Sequence, residues 1–378
     1  MHILVLSQSI PRGKNISGIF ALDQAKALVA YGHKVTFAVV DLRSIRRKRK
    51  LGIHRCEEEA LKVFSIAAPV GAVPSALKDP IGKWALRKLY KVIEAEAGRP
   101  DVVHAHFLDM GVIAADLCRR ETLPLVITEH SSSVNEENLP ETTVKRAKFA
   151  YRSAEKVLAV SGALAERIKK HTGVQPVVLP NILNMPAPAA ECAEGKAGGF
   201  SFIAAGNLVE GKGFDVLIEA FETVVKAKPE STLLIMGGGP EEKRLKARAK
   251  ELRLSDKITF YGPYQRPDFA RALTKADAFV LATKAETFGV VFIEALSFGV
   301  PVVATRSGGP EDFVDESNGL LVDVDDVQGL AQAMISISEN IGRYEKPQIA
   351  ASTRKRFSPE EIARRLTEIY ENISEERA

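Results

Sequence analysis

Residues 282–311 of this 378-residue chain read ATKAETFGVVFIEALSFGVPVVATRSGGPE. An apolar run that ends at Leu281 predicts a short buried strand, and a polar loop follows it. The apolar spacing then predicts a helix that begins near Gly289 and ends at Gly299, and residues 301–304 form the next buried strand. In α/β proteins, such strand-to-helix loops lie at the carboxyl edge of a parallel sheet, where ligands bind.

Two carboxylates of this stretch, Glu286 and Glu294, are separated by seven residues. In a continuous helix, this spacing offsets them by roughly 80° and by about 12 Å along the axis, which is too far for the two carboxyls of a glycosidase. We expect them instead to face different parts of one long ligand. The backbone amides of Phe288, Gly289 and Val290 should lie near its anionic part, since a helix N-terminus favours phosphate. The alternative is that both are solvated acids on a surface helix.

Two further motifs follow this pattern: Gly-x-Pro-Val-Val at 299–303 and Gly-Gly-x-Glu at 308–311. Together with Glu-x(7)-Glu at 286–294, they resemble the signature of glycosyltransferase family 4, also called glycosyl transferases group 1. The resemblance implies a retaining enzyme of the GT-B fold, an α/β fold in which two Rossmann-like, doubly wound domains face a cleft. It also implies that Glu286 contacts the donor sugar and that Glu294 holds the ribose hydroxyls of a nucleotide.

Length and composition fit two globular domains, since 378 residues can form two cores, and 46% of them are hydrophobic and 26% charged. No apolar run approaches the ~18 residues that a membrane span requires. Residues 1–6 enter a strand without the basic start of a signal peptide, so we expect a cytoplasmic protein. The scattered cysteines Cys56, Cys118 and Cys192 favour reduced thiols over a disulfide framework or a zinc site.

The net charge of +4 conceals two oppositely charged parts. Residues 1–183 carry 28 Lys and Arg against 18 Asp and Glu, a net charge of +10, and the remainder carries 24 against 30, a net charge of −6. Six basic residues lie close together in the first part: Arg43, Arg46, Arg47, Lys48, Arg49 and Lys50. This basic cluster predicts either peripheral attachment to the cytoplasmic face of an anionic membrane, with a lipid-linked or otherwise anionic acceptor, or a solvated loop.

The first loop of the chain follows an apolar strand at residues 2–6, and a helix begins at Gly18. A second strand follows at 35–40, but no Gly-x-Gly-x-x-Gly motif supports dinucleotide binding. In the resembled family, this loop approaches the transferred sugar and often contains Gly-Gly where this chain has Ser17-Gly18. Gly18 is therefore a candidate donor-binding residue, whereas Ser17 departs from the family pattern.

His104 and His106 alternate along a predicted strand, so both side chains face one side of the sheet. A metal site would need a third ligand, which Glu129 or His130 at the end of the next strand could supply, but the resembled family works without a metal. His106 matches the second His of the family's His-x-His motif, which the resemblance places against the donor sugar. His104 is equally well explained as a polar residue at a strand end, and His130 is a candidate acceptor-binding residue.

Residues 206–213, Gly-Asn-Leu-Val-Glu-Gly-Lys-Gly, form a glycine-rich loop before a predicted helix. Small residues let the backbone approach a phosphate, and Lys212 adds a positive charge. The family holds the donor diphosphate with an Arg and a Lys in this loop. Lys212 matches that Lys, but Asn207 stands where Arg is usual, so Lys212 acts with helix amides alone or another cation substitutes. The loop at Gly262 is implied to meet the nucleotide base.

The chain is predicted to contain an acceptor-binding domain over 1–183, a Pro-, Ala- and Gly-rich connection over 184–199, and a nucleotide-sugar-binding domain over 200–350. Residues 351–378 include a helix capped by Ser358, and its apolar stripe requires a docking surface. In the GT-B fold, this helix crosses back to the N-terminal domain.

These observations predict a metal-independent, retaining glycosyltransferase of the hexosyltransferase type that needs no cofactor and binds no nucleic acid. It would move a sugar from a nucleoside diphosphate sugar to a glycan or lipid-linked acceptor. Asp323 and Asp325 superficially match the metal-binding Asp-x-Asp of another glycosyltransferase fold, but their place before a helix favours cap and first-turn roles. The alternatives are a nucleotide-sugar epimerase or phosphorylase on the same fold, and a non-catalytic subunit.

Overall fold

The computed structural model describes the chain in six ranges: residues 1–11, 17–43, 51–58, 61–71, 73–186 and 198–377. These residues form two compact units. Unit 1 comprises Met1–Ile182 and Ser358–Ala378, and unit 2 comprises Leu183–Phe357. Five residues of the predicted basic cluster, Arg46 to Lys50, lie outside the described residues, and so does most of the predicted connection.

The sheet of unit 1 contains eight described strands: β1 His2–Ser7, β2 Lys34–Asp41, β3 Gly52–Glu58, β4 Leu61–Ala67, β5 Val102–His106, β6 Leu125–Glu129, β7 Lys156–Ala159 and β8 Val177–Val178. They lie in the order β3-β4-β2-β1-β5-β6-β7-β8. Strand β3 is antiparallel to β4, and the other neighbours are parallel. The direction of strand addition therefore reverses between β1 and β5.

The sheet of unit 2 contains six described strands: β9 Ser201–Ala205, β10 Thr232–Met236, β11 Ile258–Gly262, β12 Ala278–Leu281, β13 Val302–Thr305 and β14 Gly319–Val322. They lie in the order β11-β10-β9-β12-β13-β14, and all neighbours are parallel. The order reverses between β9 and β12, as in a Rossmann sheet. Two α/β units with doubly wound sheets confirm the predicted fold class.

The described helices, in chain order, are α1 Ile19–Ala30, α2 Ser75–Ala97, α3 Leu108–Glu121, α4 Glu141–Arg152, α5 Gly162–Thr172, α6 Phe214–Ala227, α7 Glu242–Glu251, α8 Arg266–Leu273, α9 Val290–Leu296, α10 Val327–Glu339, α11 Lys346–Arg356 and α12 Pro359–Arg377. Most of them connect parallel strands, since a parallel pair needs a crossover. Every residue of β1 and of β5 is buried. Helices on both faces of a parallel sheet explain why such strands read as apolar runs.

The stretch 282–311 has the predicted order of elements. Strand β12 ends at Leu281, helix α9 occupies Val290–Leu296, and β13 follows at Val302–Thr305. Gly289 precedes α9 with a φ of 93°, which lies in the left-handed region that glycine adopts most easily. The sharp entry into this helix therefore depends on a glycine at position 289.

Strand β3 is an element that the sequence analysis did not predict. It lies at the edge of its sheet, and none of its residues is buried. Its residues 54–58, His-Arg-Cys-Glu-Glu, lack the apolar alternation of a half-buried strand. Pairing with β4, for example Cys56 opposite Val63, is what makes this segment a strand.

The C-terminal helix α12 belongs to unit 1 and packs into its core. Its buried side chains in the core of unit 1 are Ile362, Ala363, Leu366, Tyr370 and Ile373. The same core contains residues of α1, β1 and β2. At the start of the helix, the amide of Glu361 donates a hydrogen bond of 3.0 Å to Ser358 Oγ, which satisfies one amide of the first turn.

Candidate active site

Four of the predicted site residues, two in each unit, lie where the strand order of the sheet reverses. In unit 2, the loop after β9 contains Lys212, and the loop after β12 contains Glu286. In unit 1, the loop after β1 leads to Gly18, and β5 ends at His106. A doubly wound sheet leaves a crevice at such a reversal, outside the carboxyl ends of the strands. Each unit therefore has one candidate site of its own.

Lys212 and Glu286 form an ion pair in unit 2. Lys212 Nζ lies 2.6 Å from Glu286 Oε2, although 74 positions separate the two residues. The two side chains are 28% and 13% exposed, so the pair is accessible to a ligand. The other carboxylate oxygen, Oε1, accepts a hydrogen bond of 3.1 Å from the amide of Thr287. Both oxygens of Glu286 are therefore held in place.

The two loops that contain Lys212 and Glu286 are in close backbone contact. A Cβ on Gly213, whose φ is 63°, would lie 1.9 Å from the carbonyl oxygen of Ala282, so only glycine permits the contact. The amide of Lys284 donates to the carbonyl of Gly211 at 2.9 Å, and Thr283 Oγ1 donates to the same carbonyl at 3.2 Å. The short helical turn that ends at Lys212 is fixed by these contacts.

The loop after β13 supports Glu286 from another direction. The amide of Glu286 donates to the carbonyl of Ser307 at 2.9 Å, and the amide of Gly309 donates to the carbonyl of Glu286 at 3.0 Å. A Cβ on Gly309 would lie 2.4 Å from backbone atoms of Phe288. The Gly-Gly motif of the sequence is thus explained by its close approach to the loop of Glu286.

Glu294 lies in a different environment from Glu286. It belongs to α9 and is 7% exposed, and its Oε1 lies 4.0 Å from Nε of Arg266. Burial and the charge of Glu294 both raise the pKa of the Tyr264 hydroxyl. The sequence analysis did not identify Arg266 or Tyr264, because only their position just after β11 could have indicated them. Glu294 is a partly compensated buried carboxylate, and the alternative of a solvated surface acid does not hold for it.

The remaining predicted donor residues lie close to these loops or within them. Asn207 is exposed, and its neighbour Leu208 donates from its amide to the carbonyl of Gly238 at 3.1 Å. Gly262 ends β11, and its carbonyl accepts from the amide of Gly237 at 2.9 Å. Phe288 is buried beside Gly289, and Val290 is the first residue of α9.

Three histidines in unit 1 are stacked at the ends of β5 and β6. His104 and His106 have ring centroids 4.5 Å apart, and those of His106 and His130 are 5.3 Å apart. Both ring nitrogens of His104 are occupied: Nδ1 lies 2.6 Å from the Tyr370 hydroxyl and Nε2 lies 2.6 Å from Thr128 Oγ1. His104 therefore has a structural role, and its partner Tyr370 comes from α12, which the sequence could not reveal.

His106 and His130 belong to a hydrogen-bonded row. His106 Nδ1 lies 3.0 Å from His130 Nε2, and His130 Nδ1 lies 3.0 Å from Asn181 Oδ1. The other ring nitrogen of His106, Nε2, is buried and has no partner among the described residues. The sequence analysis did not identify Asn181, since nothing local distinguishes it from other loop residues.

Burial determines the protonation of this cluster. It lowers the pKa of His104 and of His130 to about 3, and it lowers the pKa of His106 well below the ordinary range. Burial raises the pKa of Glu129 to about 7, against the opposing hydrogen bonds from the Tyr151 hydroxyl and from backbone amides. The three histidines are therefore neutral at physiological pH.

The first loop and the basic cluster are only partly described. A Cβ on Gly18 would lie 2.1 Å from the carbonyl oxygen of Ser9, so glycine is required for this backbone contact. Ser17 Oγ lies 2.7 Å from Ser9 Oγ. Arg43 is bound to Asp41 at 2.8 Å and is 20% exposed, which makes it a poor candidate for a membrane contact.

The described ranges contain no group of three or more His, Cys, Asp or Glu arranged to hold a metal ion. No helix within these ranges is long and apolar enough to cross a membrane. The predicted cap roles of Asp323 and Asp325 were wrong in detail, because Asp326 caps α10 by accepting from the amide of Gly329 at 2.8 Å. Asp325 instead lies 3.3 Å from Lys284 Nζ.

The chain matches the models of two protein families. The model described as "Glycosyltransferase Family 4" matches residues 17–185, and the model described as "Glycosyl transferases group 1" matches residues 194–356. The chain is 30% identical over 371 residues to TuaC of Bacillus subtilis, a glycosyltransferase assigned to teichuronic acid biosynthesis, and the match covers 92% of this chain and 90% of TuaC.

Another similar protein is the GDP-mannose-dependent monoacylated alpha-(1-6)-phosphatidylinositol monomannoside mannosyltransferase of Corynebacterium glutamicum, which is 33% identical over 175 residues. That match covers 44% of this chain and only 45% of the relative.

Two solved structures have the same fold. Sucrose-phosphate synthase from Thermosynechococcus elongatus has a TM-score of 0.79 at 21% identity, with 98% of each chain covered. Anabaena HepE in complex with UDP and glucose has a TM-score of 0.74 at 21% identity, with 98% of this chain and 100% of that chain covered.

Proposed function

The chain belongs to glycosyltransferase family 4, the glycosyl transferases group 1, and we propose that it transfers a sugar from a nucleoside diphosphate sugar to a glycan or lipid-linked acceptor. The proposed transfer retains the anomeric configuration and needs no metal ion. Family membership makes the chain a glycosyltransferase of the GT-B fold. The observation that carries the donor assignment is the contact of Lys212 with Glu286 at the strand-order reversal of unit 2.

Sugar transfer requires that the enzyme stabilise a leaving diphosphate and a positively charged sugar at the same time. Lys212 supplies a cation for the diphosphate, and Glu286 supplies an anion for the sugar. In the free chain each charge neutralises the other at 2.6 Å. A diphosphate that binds Lys212 exchanges one anionic partner for another, so the partly exposed Lys212 is never left without a counter-ion. Glu286 is then released to face the sugar.

The nucleotide part of the donor is assigned to the surroundings of Glu294. Glu294 lies on α9, the helix that connects β12 and β13, and its carboxylate is buried. This carboxylate can accept hydrogen bonds from the two ribose hydroxyls. Arg266, 4.0 Å away, supplies a positive charge that offsets its burial. The predicted contacts of Asn207 and Gly262, and of the backbone at Phe288, Gly289 and Val290, complete this proposal.

The acceptor is assigned to unit 1. Residues 1–183 carry a net charge of +10, and the basic cluster contributes six of the positive charges. Some relatives are named for lipid-linked or polymeric acceptors, such as the phosphatidylinositol monomannoside of the Corynebacterium enzyme. We therefore place the acceptor, or an anionic membrane that carries it, against the basic cluster. The predicted acceptor residue His130 is left out of this contact, because it is buried and both of its ring nitrogens are engaged by His106 and Asn181.

Donor and reaction are tested together. A panel of UDP-, GDP- and ADP-sugars is screened by thermal shift, and the best donor, with a labelled sugar, is incubated with and without a lipid extract. We expect label to move into the lipid or glycan fraction with the anomeric configuration of the donor kept. Conversion of the donor into another nucleotide sugar without an acceptor would instead indicate an epimerase. Absence of donor binding would indicate a non-catalytic subunit.

Membrane attachment is tested by vesicle co-sedimentation. Binding should require anionic lipid, fall with added salt and be lost when Arg46, Arg47, Lys48, Arg49 and Lys50 are replaced by Gln. Arg43→Gln is the matched control, because Arg43 is already bound to Asp41 and should contribute little. Binding that is indifferent to lipid charge would leave a water-soluble glycan as the acceptor.

A further inference from the structure

Asn181, His130 and His106 form a row of buried polar side chains that begins with His106 at the strand-order reversal of unit 1. The residues come from three separate segments: Asn181 follows β8, His130 follows β6, and His106 ends β5. Their exposures are 3%, 6% and 0%. Each of the two links between them measures 3.0 Å.

The amide oxygen of Asn181 determines which ring nitrogens of His130 and His106 carry a hydrogen. Asn181 Oδ1 can only accept a hydrogen bond, so His130 Nδ1 must donate one. Because a neutral imidazole carries a hydrogen on only one of its two nitrogens, His130 Nε2 is then an acceptor. His106 Nδ1 must donate to it, which leaves the lone pair of His106 on Nε2.

The ring of His130 packs against two aromatic rings, which fix its plane. Phe20 stacks on it with a centroid distance of 5.4 Å and an interplanar angle of 11°, and Phe107 lies 5.0 Å away on a tilted ring. A reversed order would require Asn181 to turn its amide group so that Nδ2 donates where Oδ1 now accepts. The row therefore has a defined direction, from His106 through His130 to Asn181.

His106 Nε2 lacks a hydrogen-bond partner among the described residues, unlike both ring nitrogens of the neighbouring His104. Both nitrogens of His104 have hydroxyl partners, whereas His106 Nε2 is buried and unpaired among the described residues. A buried acceptor without a donor is unfavourable, so its persistence at a ligand-binding edge suggests that a ligand supplies the donor.

We infer that Asn181 and His130 are positioning residues that lock His106 in the Nδ1–H tautomer, so that Nε2 accepts a hydrogen bond from a hydroxyl group of the sugar ligand. This inference rests on the proposed sugar transfer and names the group that His106 recognises. A hydroxyl can donate to Nε2, whereas a phosphate or carboxylate oxygen would meet its lone pair with another lone pair. His106 is thereby assigned to sugar recognition and excluded from binding the diphosphate.

The tautomer is measured on the free, full-length chain by NMR of ¹⁵N-labelled histidine. The nitrogen shifts should show hydrogen on Nδ1 and none on Nε2 for both His106 and His130. Asn181→Leu removes the acceptor, and the His106 signals should then report a mixture of tautomers. Thr128→Val is the control, because it removes a partner of His104 by the same kind of deletion and should leave the tautomer of His106 unchanged.

Conservative replacement separates a positioning role from a merely structural one. Asn181→Asp keeps an acceptor but cannot donate, so at alkaline pH it should preserve the tautomer and kcat/KM. Asn181→Leu should lower kcat/KM by about three- to tenfold, the effect of one hydrogen bond. With a deoxy sugar substrate that lacks the recognised hydroxyl, Asn181→Leu should lower kcat/KM no further.

Hydrogen found on Nε2 of His106 in the wild-type chain would overturn the inference, and so would loss of the tautomer in Asn181→Asp. An unchanged tautomer and kcat/KM in Asn181→Leu would also overturn it. If no nucleotide sugar is turned over, the proposed function fails, but the NMR measurement still decides the direction of the row.

Discussion

The two units hold the polar groups of their candidate sites in opposite states. In unit 2, Lys212 and Glu286 are paired as full charges and remain partly exposed. In unit 1, His104, His106 and His130 are buried and held neutral. All seven histidines of the chain belong to unit 1. A charged, accessible pair can change partners at low desolvation cost, whereas a buried row is stable only while it stays neutral.

The largest effect is expected from neutralising the anion of the charged pair. Glu286→Gln keeps the shape of the side chain but removes the charge that faces the sugar, and kcat should fall by about 10²–10³-fold. Binding of the nucleoside diphosphate should not weaken, because Lys212 loses its competing partner. Titration calorimetry and steady-state kinetics measure the two effects.

Glu294→Gln is the control for this variant, since it should weaken nucleotide binding instead. If both substitutions weaken binding of the nucleoside diphosphate equally, the division of roles between the two carboxylates is wrong.

Removing the cation should affect binding more than any change in the histidine row. In Lys212→Ala, a charge-assisted hydrogen bond worth roughly 1.5–3 kcal/mol is lost, which corresponds to about one to two powers of ten in affinity for a nucleoside diphosphate. Affinity for the bare nucleoside should not change. Equal weakening of both ligands would mean that Lys212 only supports its loop.

Acid should distinguish the two units. A histidine with a folded-state pKa of about 3 and an unfolded value near 6.5 contributes stability above pH 6.5 that is lost as the pH falls towards 3. Glu129, with a folded pKa of about 7, acts in the opposite direction: its contribution is complete below about pH 4.5 and is lost as the pH rises to 7. His104 and His130 together outweigh it, so unit 1 should lose several kcal/mol.

Hydrogen–deuterium exchange on the full chain, corrected for the intrinsic pH dependence of exchange, reads the two units separately. Peptides from unit 1 should lose protection between pH 6.5 and about 4, and those from unit 2, which contains no histidine, should keep it. His130→Gln should reduce the loss in unit 1. Equal acid sensitivity of both units would contradict the comparison.

The smallest effect is expected from chelation. Because Lys212 supplies the positive charge for the diphosphate, activity should be the same in EDTA as without it. Loss of activity in EDTA that manganese or magnesium restores would show that a metal ion, and not only Lys212, stabilises the leaving group.

The fold class was predictable because parallel strands buried on both faces leave apolar runs in the sequence, as at β1 and β12. The enzyme class was predictable only because the motifs around Glu286 and Glu294 resemble those of a known family, and family membership confirms it. Strand β3 was missed, because an exposed edge strand carries no such signal.

The contacts within each candidate site were not predictable. The sequence singled out Lys212 and Glu286 separately, but not their ion pair across 74 positions. It singled out His106, but not Asn181 as the acceptor at the end of its hydrogen-bonded row.

The sequence by itself therefore determined the buried elements, the fold class and the chemical types of the candidate residues, because these follow from local spacing of apolar, glycine and charged positions. Only the tertiary structure decided which of those residues meet. Strand order brings the loops after β9 and β12 together in unit 2, and it brings the ends of β5 and β6 together in unit 1. Strand order also determines how deeply each side chain is buried. Burial keeps the histidines neutral, whereas Lys212 and Glu286 are partly exposed and stay charged.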